Sequence, residues 1–257
     1  MNPHTTENTI KSFIRTRIEE SGAKGAIIGL SGGIDSSVTA YLTTGAIGRE
    51  NVLGILLPVQ DLTPKEDLND AIDVANRLGI AHKTIEISDL VHAFSGSIPD
   101  YDLNSVAVNG NLTARIRMCV LYYYANLMNR LVVGTSNRTE LLLGYATKYG
   151  DAGVDVEPIG DLCKTEVFEL AGFLGIPKHV IEKPPSARLW AGQTDEGELG
   201  MRYADIDRIL KLLVDHELSV EAIVAQGLPE ADVLHLADLV RASEHKRSTP
   251  PLAAIRS

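Results

Sequence analysis

The sequence predicts an α/β fold, a doubly wound parallel sheet with helices on both faces and a helical C-terminal segment. Up to residue 135, short apolar runs alternate with longer segments of helical spacing. This alternation is typical of parallel strands joined by crossover helices. The runs at residues 26–30 and 51–58 are apolar nearly throughout, as expected of strands that are covered on both faces. Beyond residue 135 the strand signals stop and helical patterns dominate.

The first elements follow from simple spacing. Residues 5–21 carry apolar side chains at helical intervals, and Gly22 follows them as a stop signal. Residues 26–30 predict the first strand, and the residues after Ser37 predict the helix that returns the chain to the other end of the sheet. Residues 51–58 predict the second strand.

The helix after the second strand has clear start and stop signals. A helix is predicted over residues 64–78, because Pro64 suits a first turn and Gly79 suits a helix end. The remaining elements of this half are a third strand at 82–87, a long helix over 103–129 and a fourth strand at 131–135.

The C-terminal half has a different residue pattern. Residues 145–158 are rich in Gly and Asp and show no period, and residues 191–197 are small and polar. Both segments are expected to be mobile, functional loops of one domain that spans residues 1–257. The predicted helices of this half cover residues 164–174, 201–215, 219–226 and 230–242.

Composition excludes several classes of protein. The 257 residues are 44% hydrophobic and 23% charged, which is ordinary for a globular protein, and no apolar stretch approaches the roughly 20 residues of a membrane helix. The net charge of −10 argues against nucleic acid as a partner. Cys119 and Cys163 lack metal-type spacing, so a reducing, cytoplasmic location is expected.

The segment Ser31-Gly32-Gly33-Ile34-Asp35-Ser36-Ser37, here called the phosphate loop, connects the first strand to the following helix. Its glycines let the backbone curl closely around an anion. The helix directs free N–H groups and its positive end to the same point. The loop therefore predicts a nucleotide site at the carboxyl edge of the sheet, with Asp35 as a candidate metal ligand.

The phosphate loop is not one of the two commonest nucleotide motifs. It lacks the lysine of a Walker A loop and the G-x-G-x-x-G spacing of a dinucleotide fingerprint. The competing interpretation is a serine-rich turn that caps an ordinary helix.

Three further motifs carry chemistry. Gly134-Thr135-x-x-x-x-Glu140 follows the fourth strand and offers a hydroxyl and a second carboxylate for Mg²⁺, although Glu140 also suits a helix N-terminus. Lys164 stands in a helix first turn, where a cation is unfavourable unless an anion is bound. The segment around Lys148 is glycine-hinged and polar, as is typical of a ligand-wrapping loop or a solvated surface loop.

Two basic groups remain open to interpretation. Arg115 and Arg117 point about 200° apart around the long helix, so that one can face a ligand and the other a partner subunit, or both can be solvated surface residues. The cluster Glu244-His245-Lys246-Arg247 suits either an anionic ligand or a plain basic tail.

Taken in order, these motifs resemble one family. The string S-G-G-x-D-S is similar to the loop of the ATP-pyrophosphatase (PP-loop) superfamily. Its combination with A-R-x-R-M, G-T-x-x-x-x-E, T-K-Y-G-D, L-x-K-T and H-K-R resembles the NAD⁺ synthetase family over most of the chain. This resemblance implies an adenine-nucleotide α-hydrolase-like fold.

The resemblance also implies roles for individual residues. ATP would be bound by Gly29, Leu30, Ser31, Gly32, Gly33, Ile34, Asp35, Ser36, Thr135, Lys164 and Ser186. Asp35 and Lys164 would be catalytic, and Mg²⁺ would be bound by Asp35 and Glu140. Deamido-NAD⁺ would be bound by Arg115, Lys148, Asp155, His245 and Lys246. The sequence departs from the family pattern at Ser186, where threonine is usual, and at Ala152, where glycine is usual.

The activity implied by the resemblance is the ATP-dependent amidation of deamido-NAD⁺ with ammonia, through an acyl-adenylate, by a homodimer. The chain has no room for an extra amidase domain, so we expect it to use free ammonia, or ammonia delivered by a separate subunit, and not glutamine. Residues 147–155 and 189–197 are candidate lids over the site. The alternatives are another PP-loop enzyme that adenylates tRNA or a small carboxylate, and a nucleotide sensor without catalysis.

Overall fold

The computed structural model describes residues 1–60, 62–190, 192–253 and 255. The strands are β1 (Ala26–Gly29), β2 (Val52–Leu56), β3 (Ala81–Thr84) and β4 (Leu131–Val133). The helices are α1 (Pro3–Ser21), α2 (Ile34–Ile47), α3 (Lys65–Leu78), α4 (Ser88–Ser97), α5 (Val106–Met128), α6 (Arg138–Leu143), α7 (Lys164–Leu174), α8 (Lys178–Ile181), α9 (Asp195–Leu199), α10 (Tyr203–Leu210), α11 (Val220–Val224), α12 (Glu230–Ala242) and α13 (Glu244–Arg247).

The strands form a parallel sheet in the order β3-β2-β1-β4. Ile27 of β1 is level with Leu53 of β2 on one side and with Val132 of β4 on the other. The direction of winding therefore reverses between β1 and β4. In open parallel sheets this switch point opens a crevice at the carboxyl ends of the strands, where ligands bind. The predicted doubly wound fold class is confirmed.

Alternating side chains of the strands feed two separate cores. On one face, Ile28 of β1 packs with Ile14 of α1 and Leu42 of α2, together with residues of α3 and α7. On the other face, Ile27 packs with Ile55 of β2 and Ile116 of α5. The central strands are thus buried on both sides, which explains why their sequences are apolar nearly throughout.

A third core belongs to the C-terminal helices. Ile206 and Ile209 of α10 pack with Leu143 of α6 and Val233 of α12. The helix α10 continues into a single π-helical turn over Lys211–Asp215, so the predicted helix over 201–215 is present with a change of pitch. Whether residues 1–257 act as a single domain stays a prediction.

The structure differs from the sequence-based expectation at short and exposed elements. The third strand is an edge strand with largely exposed residues, and it ends at Thr84, three residues before the predicted end at residue 87. The sequence prediction omitted α4 and the short helices α6, α8, α9 and α13, and α9 begins inside the segment 191–197 that was expected to be a loop. Helix α6 is stabilised by a capping box between Asn137 and Glu140, the local signal that the alternative interpretation of Glu140 had used. Among the described residues, no helix combines the length and the apolar character needed to cross a membrane.

Candidate active site

A cavity of about 440 Å³ lies at the switch point between β1 and β4. This volume falls in the range of small-molecule sites. Its wall combines the phosphate loop after β1, Leu57 after β2, Thr135 after β4 and the inner face of α5. Residues 183–190 and Lys246 close it from the C-terminal half. The sheet and the helical C-terminal segment therefore both contribute to one site.

The phosphate loop is held in shape by its own hydroxyl groups. Ser36 Oγ and Ser37 Oγ donate to the carbonyl oxygen of Gly33, at 3.1 and 2.8 Å. The N–H of Gly33 donates to Ser31 Oγ at 3.2 Å. Gly32 has a φ of +77°, and a Cβ there would overlap the carbonyl oxygen of Asp67. Glycine is therefore required at this position for two independent reasons.

Helix α2 begins directly after this loop. Its N-cap, Gly33, supplies no side-chain cap, and Asp35 lies in its first turn. The helix dipole favours an anion at this end. Together with the hydroxyl groups of Ser31 and Ser36, the helix end offers a donor-rich wall to the cavity. This geometry suits a phosphate group.

Lys164 joins the phosphate loop to the C-terminal half. Its Nζ lies 2.5 Å from Asp35 Oδ2 and 3.2 Å from Glu140 Oε1, and its side chain is 2% exposed. Burial alone lowers the pKa of Lys164, but the attraction of Asp35 and Glu140 outweighs it and the pKa is raised. Burial raises the pKa of Glu140 despite the neighbouring ammonium group. The lysine is thus a buried, charged centre, and its counter-charges in this structure are two carboxylates.

Asp35 and Glu140 converge on one point, which is the chemical requirement for holding a cation. Asp35 Oδ1 also accepts from Asn137 Nδ2 at 3.0 Å, which fixes the carboxylate. Within residues 1–60, 62–190, 192–253 and 255, no group of three or more His, Cys, Asp or Glu side chains is arranged for a metal. Magnesium often takes one or two protein carboxylates and completes its shell with phosphate oxygens and water. The two carboxylates fit that pattern.

Helices α6, α7 and α10 meet at the backbone of Lys164. Its N–H donates to Thr139 Oγ1 at 2.9 Å, and Thr139 in turn donates to Asp207 Oδ1 at 2.5 Å. The other oxygen of Asp207 accepts from the N–H of Thr165 at 2.8 Å. A buried aspartate from α10 therefore caps α7, as suits a helix N-terminus. Asp207 could not be identified from the sequence, because its role depends on a contact with a residue 42 positions away in the chain.

Asp195 lines the cavity near Lys164, and Tyr203 packs behind it. Tyr203 OH donates to Asp195 Oδ2 at 2.9 Å, and the Tyr203 ring centroid lies 5.2 Å from Lys164 Nζ. Ser186 Oγ donates to the carbonyl oxygen of Gln193 at 2.7 Å, so its hydroxyl proton is engaged within its own loop. Ala191, in the second predicted lid, lies outside the described residues.

The loop after β4 rests on a buried carboxyl group. Glu157 Oε2 accepts from the N–H of Ser136 at 3.1 Å, and Glu157 Oε1 has no hydrogen-bond partner among the described residues. Burial raises the pKa of Glu157 to about 8. A Cβ at Gly134 would overlap this carboxyl group, so a larger residue there would displace the Glu157 side chain.

The structure gathers most of the predicted nucleotide set on the cavity wall. Gly32 is the exception, because its carbonyl oxygen is turned toward Lys183. The predicted residues that line the cavity are Gly29, Leu30, Ser31, Gly33, Ile34, Asp35, Ser36, Thr135, Glu140, Lys164, Ser186 and Lys246.

The other predicted substrate residues lie outside the cavity. Arg115 Nε donates to the carbonyl oxygen of Lys148 at 3.3 Å, and Lys148 Nζ donates to the carbonyl oxygen of His245. These three residues form a cluster at the rim, next to Lys246, whose Nζ donates to the carbonyl oxygens of Gly144 and Ala146.

Asp155 and Arg117 each make a hydrogen bond to the backbone of the sheet region. Asp155 accepts from the N–H of Val132 at 2.7 Å and from Tyr122 OH at 3.0 Å, so it is anchored to β4 and α5. Arg117 lines the cavity, and its Nε donates to the carbonyl oxygen of Leu57 at 3.2 Å. Of the two arginines on α5, Arg117 faces the cavity and Arg115 faces solvent, as their opposite directions on the helix require.

Comparison with known proteins gives a consistent result. The model of the family described as NAD synthase matches residues 6–250. The NH(3)-dependent NAD(+) synthetase of Methanococcoides burtonii is 49% identical over 247 residues, which cover 96% of this chain and 94% of that protein.

Two solved structures are similar over nearly their whole length. The NMN synthetase from Francisella tularensis has a TM-score of 0.88 and 34% identity, and the match covers 99% of this chain and 100% of that one. An NH3-dependent NAD synthetase from Campylobacter jejuni, in complex with the nitrate ion, has a TM-score of 0.83 and 33% identity, with 98% and 99% of the two chains covered.

Proposed function

The chain belongs to the NAD synthase family, and we propose that it is an ammonia-dependent NAD⁺ synthetase, a ligase that forms a C–N bond. Its substrates are ATP, ammonia and deamido-NAD⁺, whose nicotinate carboxylate becomes an amide. The observation that carries this proposal is the buried Lys164, which lies between Asp35 of the phosphate loop and Glu140 in the wall of one cavity.

The reaction has two steps. In the first, a nicotinate carboxylate oxygen forms a bond to the α-phosphorus of ATP, and the bond from that phosphorus to the bridging oxygen breaks, releasing pyrophosphate. In the second, ammonia adds to the acyl carbon, loses a proton, and AMP departs with the electron pair of the acyl C–O bond. The products are NAD⁺, AMP and pyrophosphate.

The residues of the phosphate loop supply the electrostatic part of the first step. Negative charge grows on the departing pyrophosphate, so fixed donors aimed at it lower the barrier. We assign this role to the N–H groups of the phosphate loop and to Lys164, with Thr135 and Ser186 as further ATP contacts. Because Lys164 is held rigidly by Thr139 and by its carboxylate partners, little reorganisation is needed at the moment of reaction.

Mg²⁺ would be held by Asp35 and Glu140, which converge on one point. When bound, it would neutralise charge on the phosphate oxygens. Lys164 would then share these carboxylates with the metal while its backbone stays fixed by Thr139.

Deamido-NAD⁺ would extend from Lys246 in the cavity wall to the rim cluster of Arg115, Lys148 and His245, with Asp155 as the fifth predicted contact. This extension accounts for the position of cationic groups outside the cavity. Their hydrogen bonds in this structure go mainly to backbone carbonyl oxygens, which a charged ligand can replace.

A homodimer would complete this rim. Arg115, Cys119, Tyr123 and Leu127 are spaced by four residues and so lie on one face of α5. All four are exposed, and Tyr123 and Leu127 keep 63% and 66% of their surface. The exposed face that carries a predicted substrate residue is therefore partly apolar, as expected of a surface that a second copy covers.

The acyl-adenylate must be kept from water, which requires closure over the cavity. Residues 147–155 and 189–197 are the proposed lids. Limited proteolysis should cut both segments in the free protein and spare them when ATP and deamido-NAD⁺ are bound. Equal cutting in both states would argue against this role.

The decisive experiment follows the products of ATP. With deamido-NAD⁺ and ammonium, the purified protein should form AMP, pyrophosphate and NAD⁺ in equal amounts. Parallel reactions contain glutamine in place of ammonium, and nicotinic acid mononucleotide in place of deamido-NAD⁺. The second comparison matters because one structural relative is an NMN synthetase.

Each outcome has a clear meaning. Formation of ADP and phosphate would refute adenylation, and robust turnover with glutamine alone would refute ammonia as the direct donor. A clear preference for nicotinic acid mononucleotide would change the substrate but not the chemistry. The comparisons favour neither another PP-loop acceptor nor a sensor without catalysis.

A further inference from the structure

Lys183 connects the phosphate loop to helix α3. It follows the short helix α8, and its side chain is 13% exposed. Its Nζ donates to the carbonyl oxygen of Gly32 at 3.1 Å and to Asp67 Oδ1 at 2.8 Å, and it also pairs with Asp70. One ammonium group thus serves three acceptors on two different segments.

The contact with Gly32 fixes the direction of the next amide. A trans peptide unit is planar, so the C=O of Gly32 and the N–H of Gly33 point to opposite sides. Gly32 does not line the cavity, whereas Gly33 and Ser31, which accepts the Gly33 N–H, both do. Holding the Gly32 carbonyl oxygen at Lys183 therefore directs the Gly33 N–H to the side of Ser31, which lines the cavity.

Helix α3 provides the base against which the phosphate loop rests. Asp67 and Asp70 are both buried, with 4% and 6% exposure. Asp67 Oδ2 also pairs with Arg188 Nε at 2.8 Å, and Asp70 Oδ1 lies 3.3 Å from His179 Nε2. Since Gly32 packs against the backbone of Asp67, Lys183 is tied by charge to the same turn of α3 that the loop touches.

We propose that Lys183 is a positioning residue for nucleotide binding: it holds the Gly32 carbonyl oxygen out of the cavity so that the Gly33 amide faces the phosphate groups. That the ligand is ATP rests on the proposed function. Removing the donor should weaken ATP binding by about tenfold to a hundredfold, the range of one charge-assisted hydrogen bond. Binding of deamido-NAD⁺, whose predicted contacts include no residue of the phosphate loop, should change little.

The main test separates positioning from charge balance. In Lys183→Met/Asp70→Asn, the donor to Gly32 is lost, Asp70 is neutral, and Asp67 keeps Arg188. Its reference is Asp70→Asn alone. The measurement is the dissociation constant of α,β-methylene-ATP by calorimetry, with deamido-NAD⁺ titrated separately. Lys178→Met is the matched control, because Lys178 is a neighbouring lysine whose side chain is 85% exposed.

We expect the double variant to bind the ATP analogue at least about tenfold more weakly than Asp70→Asn, and Lys178→Met to bind it like the wild type. Equal affinity in the double variant and Asp70→Asn would overturn the proposal. If the double variant does not fold, Lys183→Arg decides. A guanidinium keeps the charge but cannot direct three donors as an ammonium does. If Lys183 acts by positioning Gly32, Lys183→Arg should bind the analogue more weakly than the wild type. If Lys183 only balances charge, the affinity for the analogue should not change.

The two proposals can fail separately. The analogue titration does not require amidation, so wild-type protein that binds the analogue but makes no NAD⁺ would refute the proposed function and leave the Lys183 test intact. Unchanged analogue affinity in the deciding Lys183 variant, with normal NAD⁺ formation by the wild type, would refute only the role of Lys183.

Discussion

Replacing Lys164 with methionine removes the cation between Asp35 and Glu140 while keeping a side chain of similar length. In the wild type, Nζ lies 2.5 and 3.2 Å from the two carboxylates, and the side chain is 2% exposed. Removing one partner of such a buried pair leaves uncompensated charge and costs about 3–5 kcal/mol of unfolding free energy. For a chain of this size, that corresponds to a fall in melting temperature of about 6–20 °C.

The loss should depend on pH. Burial already raises the pKa of Glu140, and removal of the ammonium group raises it further. Protonation of Glu140 relieves the repulsion with Asp35, so Lys164→Met should lie closer to the wild type in acid and further from it as pH rises. Urea unfolding at several pH values measures this difference.

Lys211→Met is the matched control. Lys211 pairs with Glu166 at 3.0 Å, but its side chain is 42% exposed. Exposed pairs contribute about 0–1 kcal/mol, so this variant should be nearly as stable as the wild type. The reasoning would be refuted if Lys164→Met lost no more stability than Lys211→Met.

The stabilisation of Lys164→Met by added Mg²⁺ is a second test of this site. With the ammonium group gone, Asp35 and Glu140 are free to bind a divalent cation, so Mg²⁺ should stabilise Lys164→Met more than the wild type. Equal stabilisation of both proteins would remove these carboxylates from the metal site. Turnover by Lys164→Met should fall at least about a hundredfold, because a donor to the leaving group is lost.

Three other perturbations test separate parts of the structure. Asp35→Asn should keep the fold but reduce NAD⁺ formation by orders of magnitude, and near-normal turnover would exclude Asp35 from metal binding. At Glu157, the folded-state pKa of about 8 exceeds the ordinary 4.5, so its neutral form is favoured by folding. Stability should therefore decline as pH rises from about 4.5 to 8, and this decline should be smaller in Glu157→Gln. Thermal unfolding at several pH values measures it, and parallel plots of stability against pH for the two proteins would contradict this role of Glu157. Tyr123→Lys should shift the mass measured by light scattering from dimer to monomer, whereas Lys178→Met should not.

Much of the fold can be predicted from residues that are close together in the sequence. The strands of the sheet centre are covered on both faces, so β1 and β2 appear as apolar runs, and α3 and α7 carry their own start and stop signals. The predictions from the sequence failed at β3 and α6, where the local signals are weak. The edge strand β3 is largely exposed, and α6 is too short to show a period.

The sequence by itself determined the phosphate loop, its place after the first strand, and, through the order of its motifs, the family. These features depend on neighbouring residues, because a strand, a glycine turn and a helix N-terminus are all short-range. The alternation of strands and helices also fixed the parallel sheet, since each crossover constrains the next strand.

Only the tertiary structure decided which charges meet. Lys164 is paired with carboxylates from the first turns of α2 and α6, Lys183 reaches Gly32 across 151 positions, and Asp207 caps a helix from the C-terminal core. It also decided that Arg117 lines the cavity while Arg115 lies at the rim. Such contacts join segments that are far apart in the chain. Their partners are selected by the packing of whole helices against the sheet, and no local pattern records that packing.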